Sequence, residues 1–167
     1  MRQLLNIISY FENSGLADSI REDDVLFPLI ESVHVVAICL VVGSILAVDL
    51  RLLGFASIHR PVSRVTSGIL PLTWSAFAVA VASGILMFIS NATKYLENGY
   101  FVAKIFLICA AGLNMAIFHA IKAKDLPRWE HDTALPFPAR LAGGLSILLW
   151  VLVVTCGRWI GFTMQVR

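Results

Sequence analysis

The chain has 167 residues, of which 58% are hydrophobic and 14% charged, with a mean hydropathy of +0.81 and a formal net charge of +2. Soluble domains run near roughly 45–50% apolar and about 25% charged, so a soluble globule, a disordered chain and a basic nucleic-acid-binding arm are all excluded. Three cysteines in so apolar a chain do not make a disulfide framework, and the class that remains is an integral membrane protein.

Residues 1–24 form an amphipathic segment. Leu4, Leu5, Ile7, Ile8 and Phe11 recur at helical spacing, and Asn13-Ser14-Gly15 breaks the pattern. Leu16 and Ile20 resume it before the acidic run Glu22-Asp23-Asp24. A signal peptide is the alternative, but the apolar stretch is short, Glu12 interrupts it and no clean small-x-small site follows. The segment is expected to lie as a helix on the membrane surface.

Residues 25–167 hold four runs long enough to span, since a transmembrane helix needs about 20 mostly apolar residues. They are Leu26–Leu53, Thr66–Ile89, Tyr100–Ile121 and Arg140–Phe162. An open sheet would leave its edges unsatisfied in lipid, and a barrel would alternate where these runs are continuous. The expected fold is an all-α four-helix membrane bundle. The linker 122–138 is the longest, and Pro127, Pro136 and Pro138 keep it from being one helix. His131 and, in the first linker, His59 read as solvated loop histidines.

Basic residues orient the chain. Arg51, Arg60, Arg64, Lys122, Lys124, Arg128 and Arg140 flank the first and third linkers, against Arg2, Arg21, Lys94 and Arg167 on the opposite side, which also carries Glu12, Asp18, Glu22, Asp23, Asp24 and Glu97. Both termini are therefore expected outside the cytoplasm, with Tyr95, Tyr100 and Trp159 in an outer aromatic belt.

Ionisable residues inside a membrane are expensive and are functional candidates by default. Here they are Glu31, His34, Asp49, Lys104, His119 and Arg158, with Asn114 beside them. Asp49 follows His34, and His119 follows Lys104, by 15 residues, about 22 Å of helix. The groups sort into two layers: an outer one of Glu31, His34, Lys104 and Arg158, and an inner one of Asp49, Arg51, His119 and Arg140. His34 and His119 differ in depth by roughly 15–20 Å on this rise, which argues against one haem held between them within a subunit.

The outer layer supports three readings. In a structural one, Glu31 pairs with Arg158, His34 bonds a neighbouring helix and Lys104 snorkels to the interface. In a cofactor reading, His34 binds haem iron, Arg158 or Lys104 neutralises a propionate, and Lys104 or His119 supplies a second ligand. In the third, the layer is an entry site for a metal ion. In the inner layer, Asp49 either accepts a hydrogen bond from His119 or pairs with Arg51 or Arg140. Cys39, Cys109, Cys156, Met87 and Met115 carry the soft sulfur that suits copper(I), but buried cysteine is commonly a small hydrophobe. No GxSxG, P-loop, dinucleotide fingerprint or HExxH is present.

Ile20-Arg21, Leu26-Phe27-Pro28, Glu31, His34, Gly43-Ser44 and the run Asp49-Leu50-Arg51-Leu52-Leu53-Gly54 resemble an uncharacterised family of small bacterial four-helix membrane proteins. Lys104, Gly112-Leu113-Asn114, Phe118-His119, Arg140, Ser146, Leu149-Trp150 and Gly157-Arg158-Trp159 continue the same pattern. More distantly, an early His in the first span, a small-residue turn and a Lys opening a later span are similar to copper-resistance protein D and to the J-type bacterial protoporphyrinogen oxidase. That second resemblance implies haem-ligand roles for His34 and Lys104. The oxidase's further histidine at the start of that helix is replaced here by the Phe101-Val102 neighbourhood.

The expectation is a multi-pass protein of the bacterial inner membrane that binds haem b and acts in membrane redox chemistry or electron transfer. His34 would be an axial ligand, Lys104 or His119 the second, and Arg158 and Glu31 charge partners. The lipid bilayer is its medium, and a second copy or a redox protein its expected partner. A copper or small-cation transport or accessory protein is the alternative, and a structural or assembly subunit the third.

Overall fold

The computed structural model describes residues 8–55, 62–122 and 136–165, the side chains of 62–66, 121, 122 and 165 excepted. No strand occurs among the described residues. Residues 8–12 are helical, and the chain breaks at Asn13-Ser14 as the sequence suggests. Six helices follow: α1 (Gly15–Glu22), α2 (Leu26–Leu53), α3 (Val62–Ser90), α4 (Ala92–Glu97), α5 (Gly99–Lys122) and α6 (Phe137–Gln165). Of these, α2, α3, α5 and α6 are long and apolar enough to cross a membrane. The fold is an all-α four-helix membrane bundle, and the chain is a multi-pass membrane protein.

Local chemistry sets several of the ends. Ser14 caps α1, its hydroxyl accepting the Ala17 N–H at 3.3 Å. Asp23 accepts the N–H groups of Val25 and Leu26 at 2.8 and 3.0 Å, satisfying donors where α2 begins. At the other end of α2, Gly54 adopts a left-handed φ of 82°. Its N–H bonds the Arg51 carbonyl at 3.1 Å, and the next N–H, of Phe55, bonds the Leu50 carbonyl at 2.9 Å. That is a Schellman stop, which a glycine makes without a Cβ penalty. The spans otherwise run a few residues past the expected limits, and the short α4 was not anticipated from the sequence.

The N-terminal segment docks on the bundle. Ala17 and Ile20 of α1 are buried, and α1 packs against α2 and α3. Glu12 reaches across to α4, where its carboxylate accepts both the N–H and the hydroxyl of Thr93. It thereby caps a helix whose own preceding residue, Asn91, makes no side-chain cap.

The spans pack in the order α3–α2–α6–α5. Thr73 and Ser44 hydroxyls join α3 to α2 at 2.8 Å. The Asn114 amide donates to the Ala142 carbonyl at 3.0 Å, joining α5 to α6. Helices α2 and α6 approach closely at Gly143, where a Cβ would stand 3.2 Å from both the Asp49 carbonyl and Leu52 Cβ. Small residues allow such approaches between membrane helices. Leu52 and Ala139, flanked by Val48 and Phe118, form the core at this end, away from the termini. Among the described residues, α3 and α5 share no packed face along their length. They meet only near the terminal end, where Phe88 and Phe101 stack with ring centroids 5.5 Å apart. Helices α2 and α6 therefore form the middle of the arrangement, with α3 and α5 on its two flanks.

A candidate His–Lys site inside the bundle

His34 sits eight residues into α2, and Ser83 lies seven residues before the end of α3, so the two share one depth. His34 Nδ1 lies 3.0 Å from Ser83 Oγ. Ser83 Oγ in turn donates to the Val79 carbonyl at 2.7 Å, with the Ala80 carbonyl 3.2 Å away. A hydroxyl has one proton. With that proton directed at its own helix, Ser83 accepts from His34, and Nδ1 carries the imidazole proton. Nε2 is left with its lone pair. Gly84 makes the arrangement fit, since a Cβ there would stand 3.0 Å from His34 Cε1.

Lys104 enters from α5, and its charge acts on the His34 ring. Its ammonium lies over Gly157 of α6, where a Cβ would be 3.6 Å from Nζ, and within electrostatic reach of Cys156. Among the described residues, no acceptor bonds to Nζ. The structure therefore sets the Lys104 charge within electrostatic reach of His34, one turn below an aromatic layer of Phe88, Phe101 and Tyr95. Tyr95 contacts the two phenylalanines at centroid distances of 6.2 and 5.3 Å. It is buried and is not in a lipid-facing belt. Burial raises its phenol above the usual tyrosine range, and the Glu31 carboxylate adds to the rise. Tyr100 and Trp159, stacked at 6.0 Å, do stand exposed at that end.

The other candidates fall elsewhere. Glu31 is exposed and faces Tyr95. It does not pair with Arg158, whose guanidinium lies 4.4 Å from the Phe162 ring centroid one turn along its own helix. His119 is exposed near the far end of α5, and its Nδ1 meets the Met115 carbonyl of the same helix at 3.0 Å. Asp49 is not joined to His119. Its carboxylate accepts from Ser146 of α6, while its Oδ2 is buried without a hydrogen-bond partner. Arg51 is fully buried and Arg140 exposed. Cys39 and Cys109 are exposed on the helix surfaces. No group of three metal-ligating side chains occurs among the described residues. His59, His131, Arg60, Lys124 and Arg128 lie outside the described residues.

Sequence reasoning missed Ser83, Gly84, Gly157 and Ser146 as partners of the ionisable groups. The available signal was depth. Each stands on an antiparallel neighbour at the level of the ionisable group it meets.

Residues 23–163 match the profile of a Family of unknown function (DUF6644). No curated protein and no solved structure matches the chain.

Proposed function

The chain belongs to the family of unknown function DUF6644, and from its own side chains we propose that it is a haem-binding protein of membrane redox chemistry. The observation that carries this reading is the His34–Ser83 pair. A metal-binding histidine characteristically donates its other ring N–H to a protein acceptor, which fixes the tautomer and raises ligand basicity. Ser83 would supply that acceptor, leaving the Nε2 lone pair to the metal. The distant resemblance to the J-type oxidase suggests the same assignment.

The donor set fits a haem iron. An imidazole on α2 and an amine on α5 are nitrogen donors that would hold the group, His34 as the iron ligand and Lys104 beside it. The aromatic layer of Phe88, Phe101 and Tyr95 lies on the terminal side of this pair. His34 would hold the iron through Nε2. Lys104 would serve as the second ligand in its neutral form, or as the cation that meets a propionate. Arg158, at the same end, is the further positive charge, and Glu31 the negative one that faces Tyr95. When bound, the haem would supply one-electron transfer; the protein supplies ligation, burial and charge. A bacterial inner membrane with both termini on the periplasmic side is the setting we propose, from the basic bias of the linkers.

Copper has less in its favour, because Cys39 and Cys109 face outward and do not converge. The test is an absorption spectrum of the full chain purified from haem-supplemented cells, oxidised and then reduced. A Soret band that His34→Ala abolishes supports the reading, and a colourless wild-type protein overturns it.

A further inference from the structure

The end of the bundle away from the termini carries a second feature, independent of His34 and of haem. Between the last turn of α2 and the first turns of α6 lies a groove of about 470 Å³. Leu53 forms one wall, and Arg140, Leu141, Gly144, Leu145 and Leu148 line the α6 side. The leucines at 141, 145 and 148 repeat at helical spacing and make an apolar strip about 10 Å long. Gly144 keeps the floor open, since even an added Cβ would touch only Leu53 Cδ2 at 3.9 Å.

Arg140 stands at the mouth of this strip, four residues into a 29-residue helix. Its side chain is exposed, and among the described residues no carboxylate pairs with it. The positive end of the α6 dipole adds to its charge. A guanidinium at the edge of a span, with no carboxylate partner among the described residues and continuous with an apolar strip running into the bilayer, is complementary to one kind of molecule. That molecule is an amphiphile with an anionic head and a hydrocarbon tail. A guanidinium binds a phosphate through paired N–H bonds, while the leucine strip replaces lipid contacts for an acyl chain.

We infer that this groove is a binding site for an anionic phospholipid, with its headgroup phosphate on Arg140 and one acyl chain along Leu141, Leu145 and Leu148. Such a lipid would fill the seam between α2 and α6 beside their close approach at Gly143.

The experiment is native mass spectrometry of the full chain released from detergent with equal amounts of phosphatidylglycerol and phosphatidylcholine of identical acyl chains. The wild-type protein is expected to retain phosphatidylglycerol about tenfold over phosphatidylcholine, the equivalent of one charge-assisted contact. Arg140→Gln should bring the ratio close to one. Arg140→Lys should keep part of it, because the charge remains and the fork is lost. Gly144→Leu should lower retention of both lipids, with far-UV circular dichroism confirming an intact helix content. Lys94→Gln, at the opposite end, should change nothing. Equal retention by the wild type would overturn the proposal, as would an unchanged ratio in Arg140→Gln. Undiminished retention of both lipids by a folded Gly144→Leu would place the lipid outside the groove and overturn it too.

Discussion

His34 Nδ1 stands 3.0 Å from the hydroxyl of Ser83, and that hydroxyl gives its own proton to the Val79 carbonyl. One serine on α3 thus sets which nitrogen of a histidine on α2 is free. Removing it should unfix the ring without deleting the ligand. Ser83→Ala is expected to retain haem about ten- to hundredfold more weakly than wild type, the usual cost of losing such an orienting partner. A haem titration followed at the Soret band measures this, and wild-type affinity in the variant would separate Ser83 from the site.

Gly84 and Gly157 both border the pair, but a methyl group at each meets something different. At Gly84 it would press 3.0 Å from His34 Cε1, part of a ring held from its other side by Ser83. At Gly157 it would meet the flexible end of Lys104 at 3.6 Å. Gly84→Ala should therefore destabilise the protein by about 1–3 kcal/mol, as overpacking does. Gly157→Ala should be close to neutral. Thermal unfolding in detergent, read by tryptophan fluorescence, compares the two.

The fold was largely legible in the sequence, and the site only by layer. The first span, Leu26–Leu53, was found to the residue, because its apolar run ends in the Leu-Leu-Gly that makes the Schellman stop at Gly54. Depth was also readable, from position along each helix, and it put His34 and Lys104 in one layer, where the Lys104 charge acts on the His34 ring. Rotation about the helix axis was not. Helices that meet lipid on most sides are apolar all round, so no polar stripe says which face turns inward. Hence Asp49 was assigned to His119 or the nearby arginines when it meets Ser146. Glu31 was likewise matched to Arg158 when it faces Tyr95. The six-residue α4 was illegible because it is stabilised from a distance by Glu12, not by its own sequence.

The close contact of α2 with α6 makes its own prediction. A methyl group at Gly143 would meet the Asp49 carbonyl, which is backbone and cannot swing away, at 3.2 Å. Gly143→Ala is expected to cost about 1–3 kcal/mol. Gly112→Ala, where nothing lies within 4 Å, should be neutral or gain up to about 1 kcal/mol from helix propensity. Equal unfolding temperatures for the two variants would contradict the packing at Gly143.

Glu12 tethers the N-terminal segment by capping α4. Glu12→Gln or Thr93→Ala should cost about 1 kcal/mol, the typical worth of a helix cap. Either should also speed proteolysis of the segment before α1. Limited digestion in micelles with an amino-terminal tag reads the rate, and unchanged cleavage would show that the tether does not hold the segment.

The phenol of Tyr95 titrates above the usual tyrosine range because it is buried and faces Glu31. The folded state therefore holds this proton more tightly than the unfolded chain does. The stability it contributes is full below the ordinary tyrosine pKa and is lost as pH rises through the raised one. Glu31→Gln should lower the pH at which Tyr95 ionises, while burial keeps it above the ordinary value. Ultraviolet phenolate absorbance, with Tyr95→Phe subtracted, follows it.

The central claim is that His34 Nε2 holds haem iron. It is tested most directly by the oxidised and dithionite-reduced spectra of the purified wild-type chain beside those of His34→Ala and His119→Ala. The account predicts a Soret band and reduced-state α and β bands in wild type and His119→Ala, and none in His34→Ala. No Soret band in the wild type after haem supplementation, or an undiminished band in folded His34→Ala, would contradict it.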